Sequence, residues 1–405
     1  MSITAPRLPH LRVELVLIVG ALSAFAPLSI DMYLPGLPQI ATELGASPAE
    51  VQLTLTACLI GLALGQLVSG PLSDTYGRRR PLLIGLALYT VASLLCAAAP
   101  TVWTLAAARL LQGLGGAAGI VIARAVVRDH YEGSAAARFF ALTMLVNGLA
   151  PILAPIIGGQ LLLITTWQGI FVVLAGIGAV LFAVAALRLR ESLPLERRRS
   201  GRLADVTRSY RGLLTDRRFM SYVLASALAF AAMFAYISAS PFVIEEIFGQ
   251  SPQVFSLIFA LNAVGIVVCS QISGVLVGRV APVRIMLAGL VLSSTGGIVL
   301  IGAAAMQLGL AGIALGFFMV VASYGFVAPN AAALALADQP HQAGSASALI
   351  GACQFLIGAC AAPLVSIGGT ATALPMAIVI GGLAWLALGT FLVLHRPVHP
   401  AGAAT

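Results

Sequence analysis

The chain contains no lysine, and all 22 of its basic residues are arginine. A phosphate-binding loop of the G-x-x-x-x-G-K-[ST] type needs a lysine, so ATP is excluded as an energy source within this chain. Charged residues make up only 9% of the 405 residues, whereas a soluble protein carries about 25%. Hydrophobic residues make up 60%. So few charges cannot cover a water-facing surface, which excludes a soluble enzyme.

Cysteine and histidine are also scarce, with five of each. The cysteines all fall in apolar stretches and none forms a CxxC pair, which argues against a disulfide framework or a metal site. The histidines all fall outside the predicted membrane core, which argues against a membrane-embedded enzyme. We predict no cofactor and no metal. The five cysteines are Cys58, Cys96, Cys269, Cys353 and Cys360.

Twelve long apolar runs follow one another, separated by short polar breaks. A bilayer admits only helices or closed barrels, and these runs lack the alternating pattern of a barrel strand. We therefore predict an all-α membrane protein with 12 transmembrane helices. The runs lie at about 13–35, 49–70, 81–99, 101–123, 138–163, 168–187, 219–241, 253–277, 284–304, 307–335, 343–367 and 373–394.

The arginines give the orientation of these spans. Apart from Arg109, the other 21 of the 22 lie in the loops and tails on one side, and the opposite loops carry glutamates instead. Basic residues mark cytoplasmic loops, so the net charge of +8 indicates topology and not nucleic-acid binding. We predict a multi-pass protein of the cell membrane with both termini in the cytoplasm.

The two halves of the chain resemble each other. The stretch SGPLSDTYGRRRPLLIG at 69–85 aligns without gaps to SGVLVGRVAPVRIMLAG at 273–289, and GASP at 45–48 aligns to GQSP at 249–252 at the same offset. We predict six-helix bundles at 1–187 and 219–405, joined by an arginine-rich cytoplasmic linker at 188–218. The linker is interpreted as a tether near anionic headgroups, with lipid or partner binding as the alternative.

The most specific motif is GPLSDTYGRRR at 70–80. It resembles the signature loop of the major facilitator superfamily, G-x-L-x-D-x-x-G-R-[RK]-[RK], at every fixed position. The resemblance implies two pseudo-symmetric bundles with a substrate site between them, and a cytoplasmic gate. Asp74 would cap the start of the eleventh span, and Arg78 would pair with Asp129. The alternative is a pure topology signal. The predicted gate residues are Gly70, which would allow a close helix approach, Asp74, Gly77, Arg78 and Asp129.

A second motif, RLLQGLGGAAG at 109–119, resembles the family's R-x-x-Q-G pattern. Arg109 lies about eight residues inside the fourth span. A buried arginine costs at least a few kcal/mol, so it should face a partner or a cavity. Gln112 is about one turn away on the same face. The alternative is a structural arginine that is hydrogen-bonded to the backbone.

A third stretch, NGLAPILAPIIGG at 147–159, resembles the antiporter motif of drug exporters. Ala154 replaces the usual glycine before Pro155, and Gly158 and Gly159 are kept. Pro151 and Pro155 remove backbone hydrogen bonds and bend the fifth span. Importers generally lack this motif, so it favours export. A simple packing kink is the alternative.

A fourth stretch, SIDMYLPGLP at 29–38, places Asp31 about two-thirds of the way across the first span. Among the 14 acids it is the only one clearly inside an apolar run, which makes it the predicted proton carrier. Arg109 is its predicted electrostatic partner, and a structural salt bridge between them is the alternative. With the other motifs, this string looks like the Bcr/CflA branch of drug:proton antiporters over essentially the whole chain.

That resemblance implies proton-coupled export of small lipophilic drugs, such as chloramphenicol- or bicyclomycin-like compounds. The alternative is a proton-coupled transporter of a small metabolite with the same fold, whose import activity the antiporter motif argues against. Two asymmetric halves and one buried carboxylate fit a rocking transporter better than a channel. The expected partners are a small-molecule drug, protons and the lipid bilayer, with no nucleic acid, and we expect a monomer. The predicted cavity residues are Asp31, Arg109, Gln112, Asn147, Tyr236, Asn262 and Gln354; the alternative for the weaker ones is a helix–helix hydrogen bond.

Overall fold

The computed structural model describes residues 13–130, 148–198, 210–337, 339, 343–366 and 372–395, and nearly all of these are helical. Among the described residues, ten helices are long and apolar enough to cross a membrane, or eleven if one bent pair counts as a span. The helices are α1 (Val13–Ser23), α2 (Phe25–Asp31), α3 (Leu37–Glu43), α4 (Pro48–Tyr76), α5 (Arg79–Ala97), α6 (Val102–His130), α7 (Gly148–Leu161), α8 (Trp167–Arg188), α9 (Arg217–Pro241), α10 (Pro252–Leu276), α11 (Pro282–Ala305), α12 (Gly309–Ala337), α13 (Ala343–Ser366) and α14 (Leu374–Leu394).

The first predicted span is not one continuous helix. It consists of α1, α2, a 3₁₀ turn at Leu34–Gly36 and α3, and the segments Leu17–Ser23 and Pro27–Glu43 meet at an angle of 42°. Pro27 and Pro35 have no N–H group to donate to the preceding turn, which removes hydrogen bonds at both breaks. The prediction of a single run over 13–35 was therefore wrong in its continuity.

The chain divides into two compact units. One comprises Met1–Gly201 with Ser251–Ala260, and the other comprises Arg202–Gln250 with Leu261–Thr405. The domain boundaries predicted from the sequence, 1–187, 188–218 and 219–405, stay a prediction.

In the first unit, α4 and α5 both pack mainly against α6 and touch each other only slightly. Gly61 and Gly65 make this packing close, because a side chain at either position would overlap the backbone of α6. Gly70 does not provide the close approach that the sequence predicted. A Cβ there would have its nearest neighbour 3.9 Å away, in ordinary contact with Val121. The approach of α4 to α6 is tightest about 1.4 to 2.5 turns earlier, at Gly65 and Gly61, where α6 also carries glycine.

In the second unit, α9 packs against α13 and α14, and α11 packs between α12 and α14. The core holds aromatic residues such as Tyr222 and Phe391, both buried, whose ring centroids are 6.3 Å apart.

The sequence repeat is visible in the local geometry of the two halves. Gly45 and Gly249 occupy equivalent positions, and both adopt the left-handed conformation, with φ of 58° and 63°. In each half a serine follows two residues later and its hydroxyl accepts a backbone N–H at the start of the next helix, α4 or α10. A proline then opens that helix. The same chain reversal therefore precedes the second helix of each half.

Candidate functional site

Asp31 is the last residue of α2, at the second break of the first span, where a short turn separates α2 from α3. It is buried, with 6% of its surface exposed. None of the hydrogen bonds or ion pairs found between described residues involves its carboxylate. An unpaired carboxylate in an apolar surrounding is costly in its charged form, so this position calls for a proton or a binding partner.

The residue after Asp31 is in contact with the fifth span. Gly158 of α7 lies so close to the carbonyl oxygen of Met32 that an added Cβ would overlap that oxygen. The contact requires a glycine and brings the proline- and glycine-rich stretch of α7 to the break beside Asp31.

Arg109 is fully buried, and its guanidinium is only partly satisfied. One nitrogen, Nη1, donates to Oε1 of Gln112 at 2.5 Å, and Gln112 donates in turn to the hydroxyl of Ser93 at 2.7 Å. Its Cζ lies 4.3 Å from the ring centroid of Tyr33 and 5.6 Å from that of Phe171, within range of cation–π attraction. The other two nitrogens, Nε and Nη2, have no hydrogen-bond acceptor in the described part of the chain.

Asp31 and Arg109 do not form an ion pair among the described residues, so the electrostatic partnership predicted from the sequence is not a direct contact in this structure. Gln112 and two aromatic rings surround the guanidinium instead. The alternative was an arginine that is hydrogen-bonded to the backbone. Among the described residues, the hydrogen bond of Arg109 goes to the side chain of Gln112.

The signature loop forms a compact charged cluster. Arg78 is 7% exposed; its Nε donates to Asp129 at 3.0 Å, and its Nη1 donates to Asp74 and to Ser73. The loop thus holds one buried arginine between two carboxylates, including the predicted partner Asp129 at the end of α6. Residues 340–342 and the side chains of 343–345 lie outside the described residues, so the predicted capping by Asp74 stays a prediction.

Glu191, just after α8, completes this cluster. Its carboxylate accepts the backbone N–H groups of Arg78 at 2.7 Å and Arg79 at 3.2 Å, which are the first groups of α5. Gly77 has a φ of 89°, and a side chain there would overlap the Glu191 carboxylate. Burial alone would raise the pKa of Glu191, but these hydrogen bonds, one from Leu193 and the nearby Arg198 together hold it below its usual value.

No pattern in the sequence indicates Glu191. It lies 113 residues from Arg78, in the arginine-rich linker. Its neighbour Ser192 donates its hydroxyl to Asp129 at 2.8 Å. The first part of the linker is therefore bonded to the signature loop.

Pro151, Pro155, Gly158 and Gly159 all lie in α7, as the third motif predicted. The first ten residues of the stretch after Gln250 pack on this helix. The hydroxyl of Ser256 donates to the carbonyl of Pro155 at 2.8 Å, and the amide of Gln253 donates to the carbonyl of Gly159 at 3.0 Å. These two polar side chains, which the sequence did not indicate, satisfy backbone carbonyl groups of α7.

The weaker cavity candidates of the second half pair with other side chains. Asn262 donates to the hydroxyl of Tyr236 at 2.8 Å, and both are buried. Gln354 donates to the hydroxyl of Ser226 at 3.1 Å. These hydrogen bonds match the alternative reading of helix–helix contacts, and a role in a cavity stays a prediction. Asn147 lies outside the described residues.

Glu245 is a carboxylate that the sequence placed on the loop side and that the structure buries in part. It lies in a π-helical turn at Phe242–Ile247 that extends α9. Its Oε1 is buried without a hydrogen-bond partner among the described residues. Across the described part of the chain, no group of three or more His, Cys, Asp or Glu residues could hold a metal ion.

Residues 19–363 match the sequence model of the Major Facilitator Superfamily. The chain is 42% identical over 385 residues to an uncharacterized MFS-type transporter, YdgK, of Bacillus subtilis, covering 93% of this chain and 96% of that protein. It is 32% identical over 366 residues to a bicyclomycin resistance protein homolog of Haemophilus influenzae, covering 90% and 92%. It is 30% identical over 334 residues to the multidrug resistance protein MdtL of Escherichia fergusonii, covering 82% and 83%.

The fold resembles that of a solved sugar transporter. The xylose transporter XylE from E. coli superposes with a TM-score of 0.73 over 95% of this chain and 98% of that one, at 13% sequence identity. At this identity the likeness concerns the fold alone.

Proposed function

This chain belongs to the Major Facilitator Superfamily, and from that premise we propose that it exports small lipophilic drugs across the cell membrane in exchange for protons. It is a multi-pass membrane transporter with apolar spans throughout. Relatives named for resistance to bicyclomycin and to multiple drugs support export, as does the proline- and glycine-rich stretch in α7. The proposal places both termini and the linker in the cytoplasm, and it assigns the Bcr/CflA branch.

The observation that carries the proposal is the buried carboxylate of Asp31 at the second break of the first span, which has no partner among the described residues. Broken helices at the membrane midplane are where secondary transporters hold substrates and coupling ions. An acid with no partner among the described residues is free to change its protonation state during a cycle. A carboxylate locked in a salt bridge would resist such a change.

Arg109 is the second residue of the proposed site. Its Nε and Nη2 are two buried donors with no acceptor among the described residues, and a buried donor without an acceptor costs about 1–3 kcal/mol. A drug whose carbonyl or hydroxyl oxygen accepts hydrogen bonds from these donors removes that cost. The residues holding the guanidinium in place, Gln112 and Tyr33, act as positioning residues.

Coupling follows from competition between a proton and the drug. When the site faces the cytoplasm, Asp31 gives up its proton, and the anion or Arg109 offers a hydrogen-bond partner to the drug. When the site faces outward, a proton from the acidic side neutralises Asp31 and weakens drug binding. The drug leaves, and the protonated transporter returns.

The charged cluster around Arg78 is proposed as the cytoplasmic gate. Arg78 holds α4 to α6 through Asp74 and Asp129, and Glu191 and Ser192 tie the start of the linker to the same loop. Opening toward the cytoplasm would have to break these bonds or move the bonded groups together. The cluster thereby links the state of the gate to the linker between the halves.

The substrate class rests on the scarcity of polar groups. In the second half, Phe230 has ring contacts with Phe234 at 6.0 Å, Tyr324 at 5.9 Å and Phe355 at 5.7 Å. Aromatic faces beside a few polar groups suit neutral lipophilic compounds. A small polar metabolite would find few partners in such a lining.

A susceptibility panel tests the proposed function. Cells lacking their own exporters would produce the protein or its Asp31→Asn variant at equal membrane levels, and growth would be scored against chloramphenicol, bicyclomycin and sulfonamides. We expect resistance to at least one drug with the native chain and none with Asp31→Asn, while Glu196→Gln, a control in the linker, retains resistance. No protection against any drug, together with growth on an otherwise unusable metabolite, would favour the metabolite alternative.

A further inference from the structure

A groove of about 360 Å³ opens on the membrane-facing side of the first unit, between α4 and α5. It exists because these two helices both pack on α6 and scarcely touch each other. Small residues form its floor: Gly65 lies against Leu114 and Ala117, and Gly85 lies against Ala118, with no room for a side chain at either position. Its rim is formed by exposed apolar side chains, namely Val68, Leu72, Tyr76 and Ile84.

The groove has the length of one membrane leaflet. Along α5 it runs from Arg80 to Leu88, about 12 Å at 1.5 Å per residue, and along α4 from Tyr76 to Gly65, about 16 Å. Half of a 30 Å hydrocarbon core is about 15 Å. One end therefore reaches the membrane surface at Arg80 and the other lies near the midplane.

The three consecutive arginines of the signature loop differ in their contacts. Arg78 bonds to Asp74 and Asp129, and Arg79 donates to the carbonyl of Ala186 at 2.6 Å. Arg80 is exposed, borders the groove, and has no hydrogen bond or ion pair among the described residues. Of this triplet, only Arg80 is thus available to a ligand.

Two of the backbone donors at the start of α5 are not available to such a ligand. The N–H groups of Arg78 and Arg79 are already bonded to Glu191. An anion at the mouth of the groove would consequently be held by the Arg80 side chain, with the exposed Tyr76 beside it.

We propose that this groove binds one anionic phospholipid, with an acyl chain lying between α4 and α5 and the headgroup phosphate against Arg80. The apolar rim faces hydrocarbon in a bilayer, so an acyl chain is the occupant that the surrounding supplies. The positive charge at the mouth complements an acidic headgroup and gives no preference for a zwitterionic one. Because the site adjoins the Arg78 cluster, the lipid would brace the loop that we propose as the gate.

Native mass spectrometry of the full chain in detergent tests this proposal. The protein would be titrated with phosphatidylglycerol or with phosphatidylcholine of the same acyl chains. We expect a single, tighter site for phosphatidylglycerol. Arg80→Gln should weaken that site about five-fold, the effect of one basic residue on an anionic headgroup, and Arg80→Lys should largely keep it. Ile84→Trp should weaken binding of both lipids by filling the groove.

Two matched variants serve as controls. Arg279→Gln removes an exposed arginine at the equivalent end of the second half, and Ile298→Trp adds the same bulk to an exposed position of α11. Both should bind phosphatidylglycerol like the native chain. The proposal is overturned if Arg80→Gln binds phosphatidylglycerol unchanged, if the two lipids bind the native chain equally, if inorganic phosphate alone displaces the lipid, or if the bound mass is a second copy of the chain.

Discussion

Gly158 of α7 lies against the carbonyl oxygen of Met32, the residue that follows Asp31 at the break of the first span. This contact joins two features that are 126 positions apart in the sequence, the backbone beside the buried acid and the glycine-rich end of α7. The glycine face of α7 therefore sets the position of the backbone beside the proposed proton carrier.

Gly158→Ala should impair the protein strongly, because the added methyl group overlaps the Met32 carbonyl. Overpacking of this kind typically costs about 1–3 kcal/mol. We expect a lower thermal unfolding temperature and little drug efflux. Gly70→Ala is the matched control, since a Cβ there meets only Val121 at 3.9 Å. If the two variants have the same unfolding temperature and the same efflux, the contact between Gly158 and Met32 does not have this role.

Asp129→Asn should disturb the charged loop more than Asp74→Asn. Asp129 is 16% exposed and accepts bonds from both Arg78 and Ser192, whereas Asp74 is 49% exposed and accepts from Arg78. Hydrogen bonds to charged groups contribute about 1.5–3 kcal/mol each when buried, and less when exposed. Transport rates at equal expression would show the order, and a larger loss with Asp74→Asn would point to the predicted cap on the eleventh span as the dominant contact.

Glu191 should make stability depend on pH below neutrality. Its pKa is lower in the folded protein than in the unfolded chain, where a glutamate titrates at about 4.3. Its contribution is therefore fully present above that value and is lost as the pH falls through the folded pKa. Unfolding temperatures measured from pH 7 to pH 3.5 should fall less steeply for Glu191→Gln than for the native chain. Glu196→Gln should follow the native curve. Parallel curves for all three proteins would show that the hydrogen bonds from the start of α5 to Glu191 do not contribute to stability.

The motifs were sufficient to predict the helical membrane fold and the Arg78–Asp129 contact, because both depend on short patterns with fixed spacing. Glu191, Gln253 and Ser256 could not be predicted, because their partners are backbone groups about 94 to 113 residues away. A backbone acceptor or donor leaves no signature in the sequence.

The surroundings of Arg109 could not be predicted for a related reason, and its electrostatic partnership with Asp31 stays a prediction. Elimination identifies Asp31 and Arg109 as charges inside apolar runs, but it does not reveal that Gln112 and the rings of Tyr33 and Phe171 surround the guanidinium. The prediction of a continuous first span was wrong because apolar composition does not show where a helix is interrupted. Pro27 and Pro35 cannot donate the backbone hydrogen bonds that a continuous helix needs.

The predicted orientation can be checked by labelling single cysteines with a membrane-impermeant maleimide. Of the five native cysteines, Cys360 is exposed in the isolated chain, so it would first be replaced by serine. In intact cells, Ser251→Cys should react from outside and Ser200→Cys should react only after the membrane is opened. The reverse pattern would invert the topology and place the Arg78 cluster on the outer side.

The central claim is that Asp31 carries the coupled proton, and proton release on drug binding measures this most directly. Purified protein in weakly buffered detergent at near-neutral pH would receive a drug identified by the susceptibility panel, with a pH indicator in solution. The native chain should release protons in proportion to bound drug, and Asp31→Asn should bind drug without release. Glu245→Gln, which alters a partly buried carboxylate in the π-helical turn after α9, should release protons like the native chain. Equal release from the native chain and Asp31→Asn would contradict the account and move the coupling site to another group.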